Sequence, residues 1–319
     1  MFAMEKPFED ALADLRISGS ALLHESYAPP WAIDVPDEAK LRALLNLDSS
    51  KRVVPFHLVR KGRFSLHVSQ GAPVEVNTHD VAICPSGLAH RMNFGDARQV
   101  IALEQILAGS GQSPVSPDAP DATELLCGVF IIQAAPLNPL LSALPPVLTV
   151  ATSGAGADPM LERAADMLAL EMTRSPRGTG YTASRLLEIF CAEAIQSFRR
   201  QGGTLQPGWF RGLNDPKVAQ ALGFVHAEPA ASWTVARLAA AVALSPSRFA
   251  ARFRESMGEA VLTYVTRWRM NLACRMLADS DASIAQIAQQ VGYEATPSFA
   301  RAFKSEVGQT PGSWRDTQR

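Results

Sequence analysis

The sequence predicts an α+β protein: an N-terminal β-barrel, a helical linker or dimerisation segment, and an all-α C-terminal part with two helix-turn-helix units. Three observations carry this. Residues 1–150 are rich in Pro and Gly and their apolar stretches are short, residues 151–205 hold two amphipathic helical stripes, and residues 232–315 carry one helical pattern twice. The expected domains are therefore a β-barrel over 1–150, a helical linker over 151–205 and a region of paired helix-turn-helix units over 206–319.

The barrel expectation rests on spacing. Val53–Val59, Phe64–Val68, Val74–Val76, Val81–Cys84, Gln99–Ile106 and Leu125–Gln133 are short apolar runs bounded by turn residues. Strands at about 8–12-residue spacing suggest a small barrel or jelly roll.

The middle segment reads as helices. Asp158-Pro159 has the form of an N-cap followed by proline in the first turn, and Leu161, Ala164, Ala165, Leu168 and Met172 share one stripe. After a break at Ser175-Pro176-Arg177-Gly178, a second stripe holds Leu186, Leu187, Phe190, Ala194, Ile195 and Phe198. The pair can pack on the barrel or against a second chain. Gln201-Gly202-Gly203-Thr204-Leu205-Gln206-Pro207-Gly208 is the hinge candidate, and Asn214-Asp215-Pro216 caps the helix that leads onward.

The repeat is the strongest signal. Copy one runs from Val235 to Val242, breaks at Ala243-Leu244-Ser245-Pro246, and continues with Phe249, Phe253 and Gly258. Copy two runs from Ile284 to Val291, breaks at Gly292-Tyr293-Glu294, and continues with Phe299, Phe303 and Gly308. The offset is 49 residues through the first helix and 50 through the second. A helix with small residues, a tight break and a second short helix is what a helix-turn-helix requires. Two copies are too few for a solenoid. The connector, Glu259 to about Asp279, lacks Pro and Gly and carries Val261, Leu262, Val265, Trp268, Leu272, Met276 and Leu277 at helical spacing. Such a helix spans about 30 Å, close to one turn of B-DNA.

Trp233-Thr234-Val235, Ser245-Pro246-Ser247-Arg248-Phe249, Thr266-Arg267-Trp268-Arg269-Met270, Val291-Gly292-Tyr293 and Gly308-Gln309-Thr310-Pro311 fall in one order and spacing. In these the region resembles the AraC/XylS transcriptional regulators over about 105 residues. The resemblance implies paired helix-turn-helix units on asymmetric half-sites of double-stranded DNA, homodimerisation, and a possible contact with RNA polymerase. Carried over by motif position, the base-reading places are Ser247, Ala250 and Ala251 in the first recognition helix, and Thr296, Pro297, Ala300 and Arg301 in the second.

Charge and helical geometry add to that list. Residues 214–319 hold 12 Lys and Arg against 9 Asp and Glu, whereas residues 1–213 hold 18 against 22. The tail is thus net positive in a chain of net charge −1. Arg248, Arg252, Arg254, Arg267 and Arg269 are expected around the first unit, and Arg301 and Lys304 on the second. Arg301 suits a bidentate guanine contact, while Arg248 and Arg252 suit phosphates, which position without specifying.

Asp80-Val81-Ala82-Ile83-Cys84-Pro85-Ser86-Gly87-Leu88-Ala89-His90 resembles the second motif of cupin barrels, where a turn precedes an inward-facing His. The barrel is therefore read as a cupin-like effector domain. His57, His67, His90, Cys84 and Cys127 are its candidates for sensing a small molecule or an oxidant. Metal cupins pair His-x-His with a nearby Glu. Here His57 and His67 stand ten apart and Glu75 is eight beyond His67, so neither metal nor cofactor is expected. With His79 as a fourth histidine, a metal-dependent cupin enzyme fused to a DNA reader is the runner-up. The strand Leu125-Leu126-Cys127-Gly128 is similar to the cupin-headed subgroup that includes a reactive-chlorine-responsive regulator. This implies an oxidation sensor at Cys127. Leu23-His24-Glu25-Ser26 offers no second cysteine, so Cys84 is the candidate partner.

Other classes find no support. No apolar run approaches the length of a membrane span, the N-terminus lacks a signal pattern, and four scattered cysteines form no CxxC pair. The expectation is a cytoplasmic protein without catalytic residues.

Overall fold

Strand alternation and helix caps account for most of the element boundaries. In the computed structural model, residues 2–318 are described apart from 49, 70, 111–113, 134–135, 155, 175–179 and 202–206. The expected break at Ser175–Gly178 and most of the expected hinge lie outside the described residues. The order is α1 (Phe2–Ala13), β1 (Ile17–Tyr27), β2 (Trp31–Val35), α2 (Glu38–Leu44), β3 (Arg52–Lys61), β4 (Arg63–Val68) and β5 (Val74–Asn77). Next come β6 (Asp80–Ile83), β7 (His90–Phe94), β8 (Ile101–Ala102), α3 (Leu103–Leu107), β9 (Thr123–Ile132), α4 (Pro139–Ala143) and β10 (Leu148–Ala151). Helices complete the chain: α5 (Pro159–Arg174), α6 (Tyr181–Arg200), α7 (Trp209–Asn214), α8 (Pro216–Ala227) and α9 (Val235–Ala241). The last are α10 (Pro246–Met257), α11 (Val261–Asp279), α12 (Ile284–Gln290), α13 (Thr296–Val307) and α14 (Pro311–Gln318).

Two compact units emerge. One comprises Ile17–Gln133 and Leu144–Gln201; the other comprises Met1–Arg16, Ala134–Ala143 and Gly202–Arg319. The barrel unit contains two five-stranded sheets, ordered β1-β9-β3-β6-β10 and β5-β4-β7-β2-β8. One apolar cluster draws on both sheets, with Leu23, Tyr27 and Val129 from the first and Trp31, Phe64 and Met92 from the second.

The first sheet is covered on its outer face as well. Phe56 and Phe130 stack at 4.6 Å and meet Phe190 of α6 at 5.8 and 6.3 Å. At Gly19 of β1, a Cβ would stand 3.0 Å from Leu187 and 2.9 Å from the Val129 carbonyl, so the close seating of α6 requires glycine there. This is why β3 reads as a nearly continuous apolar run rather than an alternating one. Of the two outcomes open for the helix pair, packing on the barrel is realised by α6.

Two expectations change. Gln99–Ile106 is not a strand: only Ile101 and Ala102 pair, and α3 follows. Gln105 Oε1 accepts the Ala102 N–H at 3.1 Å, and Leu, Glu and Gln favour the helix over a pleated strand. The chain start also differs from the 1–150 division, because α1 belongs to the unit of C-terminal helices. Phe8 stacks on Trp209 at 6.2 Å, Asp14 pairs with Arg275, and Arg16 Nη1 donates to Asp279 at 2.7 Å. The second unit otherwise follows its sequence pattern. Asp215 caps α8 by accepting from the Lys217 and Val218 N–H groups at 3.0 and 3.2 Å, with Pro216 in the first turn.

Candidate nucleic-acid interface and barrel pocket

Each helix-turn-helix is built by the same devices. Thr234 caps α9 and Ser283 caps α12, the latter with Gln286 completing a capping box. The turn then needs a left-handed residue, Ala243 in the first unit (φ 55°) and Gly292 in the second (φ 86°). Phe249 and Phe253 of α10, and Phe299 and Phe303 of α13, are buried. Gly258 and Gly308, both left-handed, end the recognition helices by donating to Arg254 O and Lys304 O. Between the units, the nineteen residues of α11 reach about 28 Å.

With one face of each recognition helix buried, the other is displayed. Ser247, Arg248, Ala251, Arg252 and Arg254 are exposed on α10, and Ala250 is half-buried. On α13, Pro297, Arg301 and Lys304 are exposed while Thr296 and Ala300 are half-buried. Arg301 makes one long contact, 3.4 Å to Ser298 Oγ.

Not every expected cation is available. Arg252 donates through Nε to both Asp215 oxygens, at 2.9 and 2.7 Å, tying α10 to the cap of α8. Arg269 is a structural pin rather than a surface charge. It donates to the carbonyls of Pro229 and Ala231 at 2.8 and 2.7 Å and lies 5.8 Å from the Tyr293 ring. Arg267 reaches Glu259 and Glu306. The roles of Arg252 and Arg269 were hidden in the sequence because their partners Asp215 and Pro229 sit 37 and 40 residues away.

Beside the first unit lies an unforeseen network. Trp209 Nε1 donates to Tyr264 Oη at 3.2 Å, and the Tyr264 hydroxyl is hydrogen-bonded to His226 Nε2 at 2.7 Å. The His226 ring stacks on Trp268 at 3.7 Å. Burial lowers the His226 pKa to about 3.

In the barrel, the structure divides the effector candidates by strand alternation. β4 and β7 pair Leu66 with Met92, His67 with Arg91, and Val68 with His90. His90 and Met92 therefore share the inner face and His67 takes the outer one. His67 lines a cleft of about 820 Å³ with Asp34, Lys40, Arg91, Asn93 and Glu104. Arg91 and Asp34 are paired there at 2.7 and 3.0 Å, and Lys40 pairs with Glu104. His79 is a turn residue at φ 67°, outside the group.

His57, Cys84 and His90 come together in the interior, where all three are buried. The two Nε2 atoms stand 2.8 Å apart, and Cys84 Sγ is 3.9 Å from His90 Nε2. His90 Nδ1 donates to Leu88 O at 3.1 Å, which fixes its tautomer and leaves Nε2 as acceptor for His57. His57 Nδ1 is then buried with no hydrogen-bond partner among the described residues. Burial, and for His57 also the neighbouring imidazole, lowers both pKa values and keeps the rings neutral. Cys127 pairs with His57 in register on the adjacent strand. Burial pushes the Cys84 thiol up to about 12 and the Cys127 thiol higher still, the opposite of what an activated thiol needs. The carboxylate that an oxygenase-type site would use is not in this group.

A sheet barrel followed by two helix-turn-helix units defines a DNA-binding transcriptional regulator with a ligand-sensing type of N-terminal domain. The cupin family pattern matches residues 6–198 and a helix-turn-helix domain pattern matches residues 238–317. A putative AraC-like transcription regulator of Streptomyces lividans is 31% identical over 83% of this chain and 87% of its own length. A Streptomyces antibioticus protein of the same description is 36% identical over 61% of this chain, and the match spans 64% of that relative. The RCS-specific HTH-type transcriptional activator RclR of Escherichia coli is 24% identical over 84% of this chain and 86% of its own. The chain belongs to the AraC-like transcription regulators of the cupin-headed kind. No helix among the described residues is long and apolar enough to cross a membrane.

Proposed function

We propose that this regulator reads two half-sites of duplex DNA through α10 and α13, under the control of a signal received by the barrel. The observation that carries the reading is the duplicated recognition unit on a 19-residue helix, whose length approaches the 34 Å or so between successive major grooves on one face. Ser247, Ala250, Ala251, Thr296, Pro297, Ala300 and Arg301 face the bases. Arg248 and Lys304 hold phosphates, and Arg252 joins them only through the nitrogens its pairing with Asp215 spares. The small side chains favour close approach and shape over dense hydrogen bonding.

The cleft beside His67, lined by apolar and charged side chains together, suits a small effector with an apolar body and a polar group, with the Asp34–Arg91 and Lys40–Glu104 pairs as exchangeable partners. The RCS-specific relative supports an oxidant as the signal instead, acting on Cys84 or Cys127 once local opening exposes them. A signal of either kind shifts occupancy of the paired half-sites by favouring one presentation of the readers. Met160, Met167 and Leu170 form an exposed apolar stripe on α5, which supports a homodimer through this helix. The protein acts on cytoplasmic DNA, alongside RNA polymerase, and carries out no catalysis of its own.

Selection of genomic fragments by the purified full-length protein, with and without oxidant, tests this. A bipartite motif with boxes about one helical turn apart is the expected result. Recovery of no motif by folded protein overturns it, and oxidant dependence decides between the two signals. Met167→Glu with Leu170→Glu is expected to yield monomers in sedimentation, and an unchanged mass removes α5 as the interface.

A further inference from the structure

We propose that His57, Cys84 and His90 form a binding site for one thiophilic d10 cation, Zn²⁺ or Cu⁺, in the interior of the barrel. The three residues come from β3, the position after β6, and β7, so both sheets contribute. One ligand atom from each lies within 4.8 Å of the others. Tetrahedral zinc with nitrogen and sulfur ligands needs separations of about 3.3–3.6 Å. The 2.8 Å His57–His90 approach opens by about half an ångström to meet this, and the 3.9 Å Cys84–His90 distance closes slightly.

The surroundings favour a cation over an empty site. Cys84 belongs to the apolar core cluster, and polar side chains that find one hydrogen-bond partner outside their own group among the described residues, Leu88 O, are costly there. The hydrogen bond from His90 Nδ1 to Leu88 O already aims the Nε2 lone pair inward, the orienting contact that ligating histidines usually have. On loading, His57 moves its proton from Nε2 to Nδ1 and Cys84 releases its thiol proton to solvent. Two imidazoles and a thiolate without a carboxylate select zinc or cuprous copper over magnesium or calcium. His90 also borders the cleft beside His67, which supplies an entry path. The site needs only the barrel, so it stands or falls independently of DNA reading.

The experiment uses full-length protein, loaded with Zn²⁺, or with Cu⁺ under anaerobic conditions, then desalted and counted by elemental mass spectrometry. About one equivalent is expected in the wild type and in the control Cys127→Ala. Cys84→Ala and His90→Gln are expected to bind roughly 100-fold more weakly or worse, with melting curves compared in the metal-free state. Co²⁺ is the second probe: the wild type should show a thiolate-to-cobalt charge-transfer band, a readout that needs no variant. Competition between Zn²⁺ and Cu⁺ names the cation. Wild type that retains no metal, a cobalt complex without the thiolate band, or equal retention by Cys84→Ala and His90→Gln overturns the site.

Discussion

The two helix-turn-helix units share one plan but meet its hardest demand differently. Both need a left-handed residue after the first helix. The second unit uses Gly292, and a Cβ there would stand 2.8 Å from Ala230 O and 2.9 Å from the guanidinium of Arg269. The first uses Ala243, exposed and at φ 55°, where an L-residue is strained by about 1–2 kcal/mol. Recognition helix α10 has the Ser245 cap, whereas Ala295 at the equivalent place gives α13 none. The first unit also sits beside a buried histidine, His226 of the preceding α8, and no histidine follows residue 226 in the sequence. A duplicated motif thus has one half locked by backbone crowding and one tolerant half beside a titratable buried group.

The largest expected effect breaks the locked half. Gly292→Val combines left-handed strain with a backbone clash and should cost about 3 kcal/mol in urea unfolding of the full chain. A loss below about 1 kcal/mol means the loop at Ala230 yields freely.

Function separates the halves next. Arg301→Ala should weaken DNA binding by about 1–3 kcal/mol and relax preference at one base pair. Arg252→Ala should instead lower stability, since Arg252 braces Asp215. Unchanged selectivity in Arg301→Ala removes that residue from base reading.

Acid should loosen the first half selectively. The His226 pKa lies near 3 in the folded protein, below the ordinary value of about 6.5 that the unfolded chain keeps. Below pH 6.5 the unfolded state takes up a proton that the folded state refuses, so stability falls as pH falls. At pH 5 the loss is about 2 kcal/mol, and it stops growing near pH 3. Comparing wild type with His226→Gln at pH 7 and pH 5 reads this directly. An equal pH dependence in both assigns the effect elsewhere.

The smallest effect runs in the opposite direction. Ala243→Gly should stabilise the first unit by about 0.5–1 kcal/mol, because relief of strain exceeds the added chain entropy. A destabilised variant would show that the Ala243 backbone is relaxed, and the contrast between the halves would lose its basis.

The readers were legible because their determinants are local. Capping residues, Phe pairs four apart and a terminal Gly lie within about 25 residues of one another, and a helix obeys a period that needs no distant partner. The barrel was half legible. Strands β3 to β6 stand out by their apolar runs, but β1, with Gly19 and three serines, hides its apolar content, and its pairing partner β9 lies about a hundred residues on. That His67 and His90 take opposite faces of the sheet was hidden for the same reason: which face a strand residue takes depends on register, and a shift of one residue exchanges the faces.

The sequence by itself determined the paired recognition helices, the helix that spaces them, and the family to which they point, because 3.6-residue periodicity and end-capping are written in neighbouring residues. Tertiary structure alone decided that α1 joins the reader's unit, that Arg269 is a pin, and that His57, Cys84 and His90 meet between two sheets. Those outcomes depend on strand register and long-range burial, where residues 27 and 33 positions apart become neighbours only after both sheets close on a common core.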